Sequence, residues 1–288
     1  MANYKDIHGT NIETVTSDPS NPVEGQVWYN STDQKLRANA QTTAGAWASG
    51  GNLNTGGIFG TSNGFGTEST GGVAGRLQEA GGSPGQKANT ELYNGTSWTE
   101  SGDLNTARNA AAVGGTYTSA LHAGGHGNIT AITESWNGSS WTEVSDLNQA
   151  RGYFTGSIES NSAGIAYGGI TPATSAGVAI TESWNGSSWT ELNNLNQGKY
   201  GIGGSGTQTA ALAAGGAIPP DANTANTELW NGTSWAEQNN LNTATSQMAS
   251  GGTTSAGFVA GGGYSPPTIA KTEEWTAPVT STVSFTVS

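Results

Sequence analysis

The residues best suited to chemistry in this chain are glutamates that return at one position. Glu91, Glu134, Glu182, Glu228 and Glu273 each follow a threonine in a short segment of similar composition. Paired carboxylates can serve as general acid and base. A residue that recurs once per repeat, however, is spread by the repeat's symmetry rather than gathered into a site. These side chains are therefore expected to bind backbone donors or a repeated Arg. Of the three histidines (His8, His122 and His126), only the last two are close in sequence, on either side of Gly124-Gly125. His122 reads as a strand residue and His126 as a loop residue, and neither completes a His-rich metal set. The chain has no cysteine, which excludes disulfides and thiolate metal sites. It also lacks the run of aspartates that a calcium loop needs. No cofactor is expected. Four Asn-Gly-[Ser/Thr] triplets, at Asn94, Asn137, Asn185 and Asn231, match the glycosylation pattern. Their place in a hairpin turn already explains them.

Composition narrows the classes further. Gly supplies 45 of 288 residues and charged residues only 10%. Ten Trp and eight Tyr set the chain apart from a Gly-rich disordered linker, which lacks the aromatics to offset ordering entropy. A formal net charge of −12, with nine scattered basic residues, argues against nucleic acid as a partner. No apolar run approaches membrane-spanning length, so no membrane insertion is expected.

The elements that hold the glutamates come from a repeat. TESWNGSSWTE occurs at 133–143 and again at 181–191, with close variants at 90–100 and 227–237. Each is followed by a Leu-Asn pair: Leu104-Asn105, Leu147-Asn148, Leu195-Asn196 and Leu241-Asn242. Next comes a stretch rich in small residues, then an apolar segment ending in a Gly doublet. The doublets are Gly81-Gly82, Gly124-Gly125, Gly168-Gly169, Gly215-Gly216 and Gly261-Gly262. The second tryptophans (Trp98, Trp141, Trp189, Trp235) lie 43, 48 and 46 residues apart. One unit reads as four short strands, the last two joined by an Asn-Gly hairpin in which both residues tolerate positive φ. No stretch shows capped helical periodicity. A period in the forties with four strands per unit predicts propeller blades.

An Arg after the first strand, a Gly-Gly doublet, an aromatic on the third strand and a Trp on the fourth resemble the kelch repeat. Arg108/Gly124-Gly125/Trp136/Trp141 and Arg151/Gly168-Gly169/Trp184/Trp189 match that pattern. Lys199, Thr245 and Gly57 stand at the Arg position in other units. The Arg–Glu bridge that the resemblance implies is therefore expected in only some blades. The copper-radical oxidases on this scaffold need a Tyr–Cys crosslink, which a chain without cysteine cannot make. Sialidase-like propellers need an arginine cluster, and Arg37, Arg76, Arg108 and Arg151 are too few and too bound to the repeat.

Five doublets and five third strands predict an all-β fold: a five-bladed kelch-like propeller over 45–276. The fifth unit stops at Thr272–Trp275 without a fourth strand, whereas 46–54 offers a fourth strand plus Leu-Asn with no third strand before it. Trp47 is thus expected to share a blade with Trp275, closing the ring by pairing its N- and C-terminal strands. That removes two open sheet edges.

Residues 1–44 fall outside the repeat and are read as an attachment segment. Val27-Trp28-Tyr29 and Lys35-Leu36-Arg37 should form a hairpin, and 21–38 resembles a motif near attachment regions of bacteriophage tail-fibre and other virion proteins. The tail, 277–288, alternates apolar and polar residues as a half-buried strand does. It is expected to pair with the N-terminal hairpin or with another subunit. The N-terminus lacks the apolar core of a secretory signal. The expectation is a non-enzymatic virion protein made in the host cytoplasm, a tail fibre or surface appendage involved in host attachment. Its partners would be other virion proteins through residues 1–40, with room for a homo-oligomer. Two other classes fit the composition: a virion decoration protein without a receptor, and a bacterial kelch lectin or enzyme. The loops between second and third strands vary most, and His126, Thr171, Thr174, Pro219, Asp221, Tyr264 and Ser265 on them are suited to a host surface glycan.

Overall fold

A computed structural model describes residues 12–19, 26–38, 50–58, 64–78, 85–218, 220, 222–263 and 270–277. The chain divides into two compact units, Met1–Ser49 and Gly50–Ser288. In the first, Val27–Asn30 pairs antiparallel with Lys35–Ala38, as the hairpin reading expects, and parallel with Glu13–Val15. Asp18 gathers this sheet. Its carboxylate accepts from Trp28 Nε1 at 2.9 Å and Asn30 Nδ2 at 3.0 Å, and it ion-pairs with Arg37. The Trp28 bond, then Asn30 and Arg37, hold Asp18 below the usual carboxylate range.

The second unit repeats one motif. Sheet I holds Gly64–Gly66, Gly71–Gln78, Gly85–Tyr93 and Trp98–Glu100. Sheet II holds Ala112–Thr116, Ser119–Gly125, Thr130–Trp136 and Trp141–Val144. Sheet III holds Thr155–Ser160, Ala163–Tyr167, Thr181–Trp184 and Trp189–Glu191. Sheet IV holds Gly203–Gly206, Ala211–Ala214, Thr227–Trp230 and Trp235–Glu237. Sheet V has three strands, Ala249–Gly252, Ala256–Ala260 and Thr272–Thr276. Every sheet is an antiparallel meander in chain order. No helix occurs among the described residues. The molecule is all-β with several small sheets, an arrangement compatible with a β-propeller.

The first strands pack in succession from sheet I to sheet V. Their small residues permit that approach: a Cβ on Gly114 would lie 2.8 Å from Ile158 O. Polar bonds also cross between them, with Ser157 Oγ donating to Ser205 O at 3.0 Å and Gly204 N to Ser250 Oγ at 2.9 Å. Between sheets lie tryptophan pairs. Trp136 and Trp141, Trp184 and Trp189, and Trp230 and Trp235 stand 5.2, 5.4 and 5.4 Å apart at tilts of 41–46°. The third-strand indole donates to the first turn of its own sheet, as Trp184 Nε1 does to Asn161 O at 2.9 Å. The fourth-strand indole reaches back to the preceding sheet. Trp141 donates to Thr90 Oγ1, Trp189 to Thr133 Oγ1 and Trp235 to Thr181 Oγ1, at 2.9, 3.0 and 3.0 Å.

Two readings need correction. In the hairpin turns only the glycines take positive φ, 90°, 98°, 93° and 91° at Gly95, Gly138, Gly186 and Gly232. Each asparagine instead turns the chain with its side chain: Asn94 Oδ1 accepts from Thr96 N at 3.0 Å and Ser97 N at 2.9 Å. The four-residue loop makes this the better solution, because two consecutive left-handed residues suit a two-residue turn. In sheet I, the doublet's place belongs to Gly75-Arg76. Gly75 has φ +67° and abuts Arg108 O, just as Gly124 (φ +61°) abuts Arg151 O. Gly81-Gly82 lies outside the described residues, as do Trp47 and the tail beyond Ala277.

Candidate binding face

Glu91, Glu134, Glu182 and Glu228 are buried and Glu273 is half-buried, and each holds one linker to one sheet. Each of the five takes a backbone N–H from the asparagine of its Leu-Asn pair, at 2.7 Å in every case: Asn54, Asn105, Asn148, Asn196 and Asn242. The same asparagine's Nδ2 donates to the same oxygen. The other carboxylate oxygen meets a buried cation in four sheets. The pairs are Arg76–Glu91 (3.1 Å), Arg108–Glu134, Arg151–Glu182 (3.0 Å) and Lys199–Glu228 (3.4 Å). Glu273 has Thr243 N at 2.9 Å instead. Arg108 also donates to Gly124 O and His122 O, and Arg151 to Gly168 O and Ile180 O, whereas Nε of Arg76 and of Arg151 has no hydrogen-bond partner. Burial lowers Arg151 to about 10 against the pull of Glu182. Buried and so occupied, Glu91, Glu134, Glu182 and Glu228 act as fasteners between linker and sheet, and half-buried Glu273 holds its linker through the same bonds. Gly57 does not deprive sheet I of its pair, contrary to the position-by-position expectation, because Arg76 supplies the charge from the second strand.

Half-buried polar and aromatic groups on a fixed frame occur where the linkers meet the loops between second and third strands. Asn109 pairs with His126, Gly152 with Ile170, and Tyr200 with Ala217, one bridge in each of three units. The next linker residue adopts a left-handed conformation: φ is 50° at Ala110, 53° at Tyr153, 62° at Gly201 and 53° at Gln247. These residues form a chain of backbone bonds from unit to unit. Tyr153 N donates to Ala110 O at 2.9 Å, Gly201 N to Tyr153 O at 2.8 Å, and Gln247 N to Gly201 O at 2.7 Å. Such φ values cost of order 1 kcal/mol or more at non-glycine residues and persist where surrounding bonds over-determine them.

His126 stands on this face, half-buried, with its ring 4.6 Å from that of Tyr153. Burial lowers its pKa, so the neutral imidazole is favoured. Thr171 is buried in the hairpin Ile170–Thr171/Thr174–Gly177, with Thr174 on its returning strand. Sheet IV carries a matching hairpin, Ala217–Ile218/Ala222–Asn223, beside that of sheet III. Pro219, Asp221, Tyr264 and Ser265 lie outside the described residues. Tyr153, Tyr200 and Gln247 join the face unannounced by the sequence, since they sit on linkers rather than loops. An imidazole, phenols and amides on a fixed frame can stack on and hydrogen-bond a neutral polar ligand. Among the described residues no three His, Asp or Glu side chains are grouped to hold a metal ion. No family model matches the chain, and no curated protein matches it.

Proposed function

We propose that this chain is a non-enzymatic structural protein of a bacteriophage virion, a tail fibre or similar surface appendage that takes part in host attachment. Its frame is a five-bladed kelch-like propeller, sheets I to V being the blades, with the N-terminal part of the repeat pairing with the C-terminal part to close the ring. Residues 1–40 attach it to other virion proteins.

The observation that carries this reading is the division of labour among polar residues. The glutamates that could have done chemistry are consumed in linker–sheet clamps, while the half-buried polar and aromatic groups stand where loops differ from unit to unit. Loops on a rigid scaffold are where β folds place recognition. The resemblance of 21–38 to tail-fibre attachment regions adds the virion setting. The test is immuno-electron microscopy of the source particle with antibody against the purified chain. Gold on tail fibres or surface appendages is the expected result. Label confined to capsid faces would favour a decoration protein, and absence of label from particles would overturn the proposal.

A further inference from the structure

We infer that Asn94 and Asn231 are sites of spontaneous modification, where the chain converts asparagine to aspartate and isoaspartate through a succinimide. Serine hydroxyls in the two sister turns hold Asn137 and Asn185 back from the same reaction. This goes beyond the function proposed above and does not depend on it.

Each of these asparagines precedes a glycine and stands exposed in the turn between a third and a fourth strand. Glycine carries no Cβ to shield its backbone nitrogen. Among the described residues, none of the four glycine N–H groups donates a hydrogen bond. That nitrogen is the nucleophile. It gives its proton to solvent base, and its electron pair forms a bond to the asparagine Cγ. The Cγ–Nδ2 bond breaks, and the amide nitrogen takes up a proton and leaves as ammonia. Water then opens the cyclic imide at either carbonyl. One opening gives aspartate; the other gives isoaspartate, whose main chain runs through Cβ and is longer by a methylene.

The four turns share a frame and differ in one group. In each, the asparagine Oδ1 accepts from the backbone N–H groups two and three residues on. The distances are 3.0 and 2.9 Å at Asn94, 3.0 and 3.0 Å at Asn137, 2.9 and 3.0 Å at Asn185, and 2.9 and 2.9 Å at Asn231. Attack needs Cγ to turn its face to the glycine nitrogen, which pulls Oδ1 away from these donors. In the two Asn-Gly-Ser-Ser turns a hydroxyl adds to the hold: Ser139 Oγ donates to Asn137 Oδ1 at 3.0 Å, and Ser187 Oγ to Asn185 Oδ1 at 2.9 Å. The Asn137 amide is also tied at its nitrogen, with Nδ2 donating to Ser140 Oγ at 3.3 Å. Thr96 and Thr233 take the same place in the other two turns, and among the described residues they donate to the asparagine through backbone N–H alone. One further net hydrogen bond to break before attack slows the step about tenfold. The aspartate product keeps Oδ1 and its bonds. The longer isoaspartate chain at residue 231 lies between Trp230 and Trp235, which pair across the turn, and so loosens that stack.

Incubating the full chain in heavy-oxygen water at mildly alkaline pH, followed by peptide mass spectrometry, reads each site separately, because the oxygen taken up on ring opening labels the product. In the folded chain Asn94 and Asn231 should gain label about tenfold faster than Asn137 and Asn185. In chain unfolded by urea all four should gain it at similar rates. Moving the hydroxyl should move the rates: Ser187→Ala should bring Asn185 up to the rate of Asn231, and Thr233→Ser should bring Asn231 down, with the melting transition unchanged in both. Faster conversion at Asn137 and Asn185 would overturn the inference, since the hydroxyls would then be activating the carbonyl. Equal rates at the four folded sites, or the same order persisting in urea, would also overturn it. So would the absence of label at Asn94 and Asn231 over the time in which the unfolded chain converts.

Discussion

Arg76 occupies the space that a side chain at residue 57 would need: a Cβ built on Gly57 would lie 2.6 Å from Arg76 Cδ. The two positions are on different elements, a linker and a second strand, yet they exchange one cation. In sheets II, III and IV the linker provides it, through Arg108, Arg151 and Lys199. In sheet I the linker has glycine, and the guanidinium reaches the equivalent oxygen of Glu91 from the second strand.

Arg76→Met should therefore destabilise the fold by about 3–5 kcal/mol, the usual penalty for leaving a buried charge without its partner. Gly57→Arg alone should also destabilise, through the clash. The double variant Gly57→Arg/Arg76→Gly should recover most of the loss in urea unfolding. Additive losses would mean that the two sites are not exchanging one role.

Trp189 is 5% exposed and stacks on Trp184 while its indole holds Thr133. Trp189→Ala should cost about 3–5 kcal/mol, as large buried aromatics do. Thr133→Val keeps the shape and leaves a buried N–H unpaired, for about 1–3 kcal/mol. Chemical denaturation of both variants checks the order of effects; a loss below about 1 kcal/mol for the Trp variant would place the ring outside the core.

The four-strand unit was legible because its signals recur: the Trp pair, the Leu-Asn pair and the Gly doublet keep their order through changes of loop length. Leu104-Asn105 was visible as a marker, yet its purpose was not, since Asn105 and Glu134 are far apart in sequence and meet only when the linker crosses to the next sheet. Arg76 was hidden because it leaves the repeat position while preserving the repeat's electrostatics. The left-handed arc was hidden for a different reason. Ala110, Tyr153, Gly201 and Gln247 share a backbone conformation and no residue type. Of the candidate ligand residues, His126 was found from its loop, whereas Tyr153, against which it packs, is announced by no pattern.

His122 gives the fold a pH dependence. The side chain is fully buried, both ring nitrogens lack hydrogen-bond partners, and its ring lies edge-on to Trp141 at 6.1 Å. Burial, then the nearby Arg108, push its pKa well below the ordinary value of 6.5. The unfolded chain consequently binds a proton that the folded chain refuses. This site's stability is complete above about pH 6.5 and falls as pH drops, by up to about 1.4 kcal/mol per unit. His122→Val places there the residue that Val73 and Val259 supply in sheets I and V, at the same register opposite Glu91 and Glu273. Urea midpoints at pH 7 and pH 5 should differ less in the variant than in the natural chain. Equal differences would remove His122 as the cause.

Attachment through the variable loops is the central claim, and loop exchange tests it most directly. The segments after His126, Ile170 and Ala217 would be replaced together by one short Gly-rich turn, leaving the tryptophan pairs and glutamate clamps untouched. Labelled protein would then be titrated onto cells of the host that the source particle infects. The account predicts saturable binding by the natural chain and loss of at least tenfold in affinity by the loop-exchanged chain, with the melting transition unchanged. Equal binding by the two proteins at unchanged stability would contradict it.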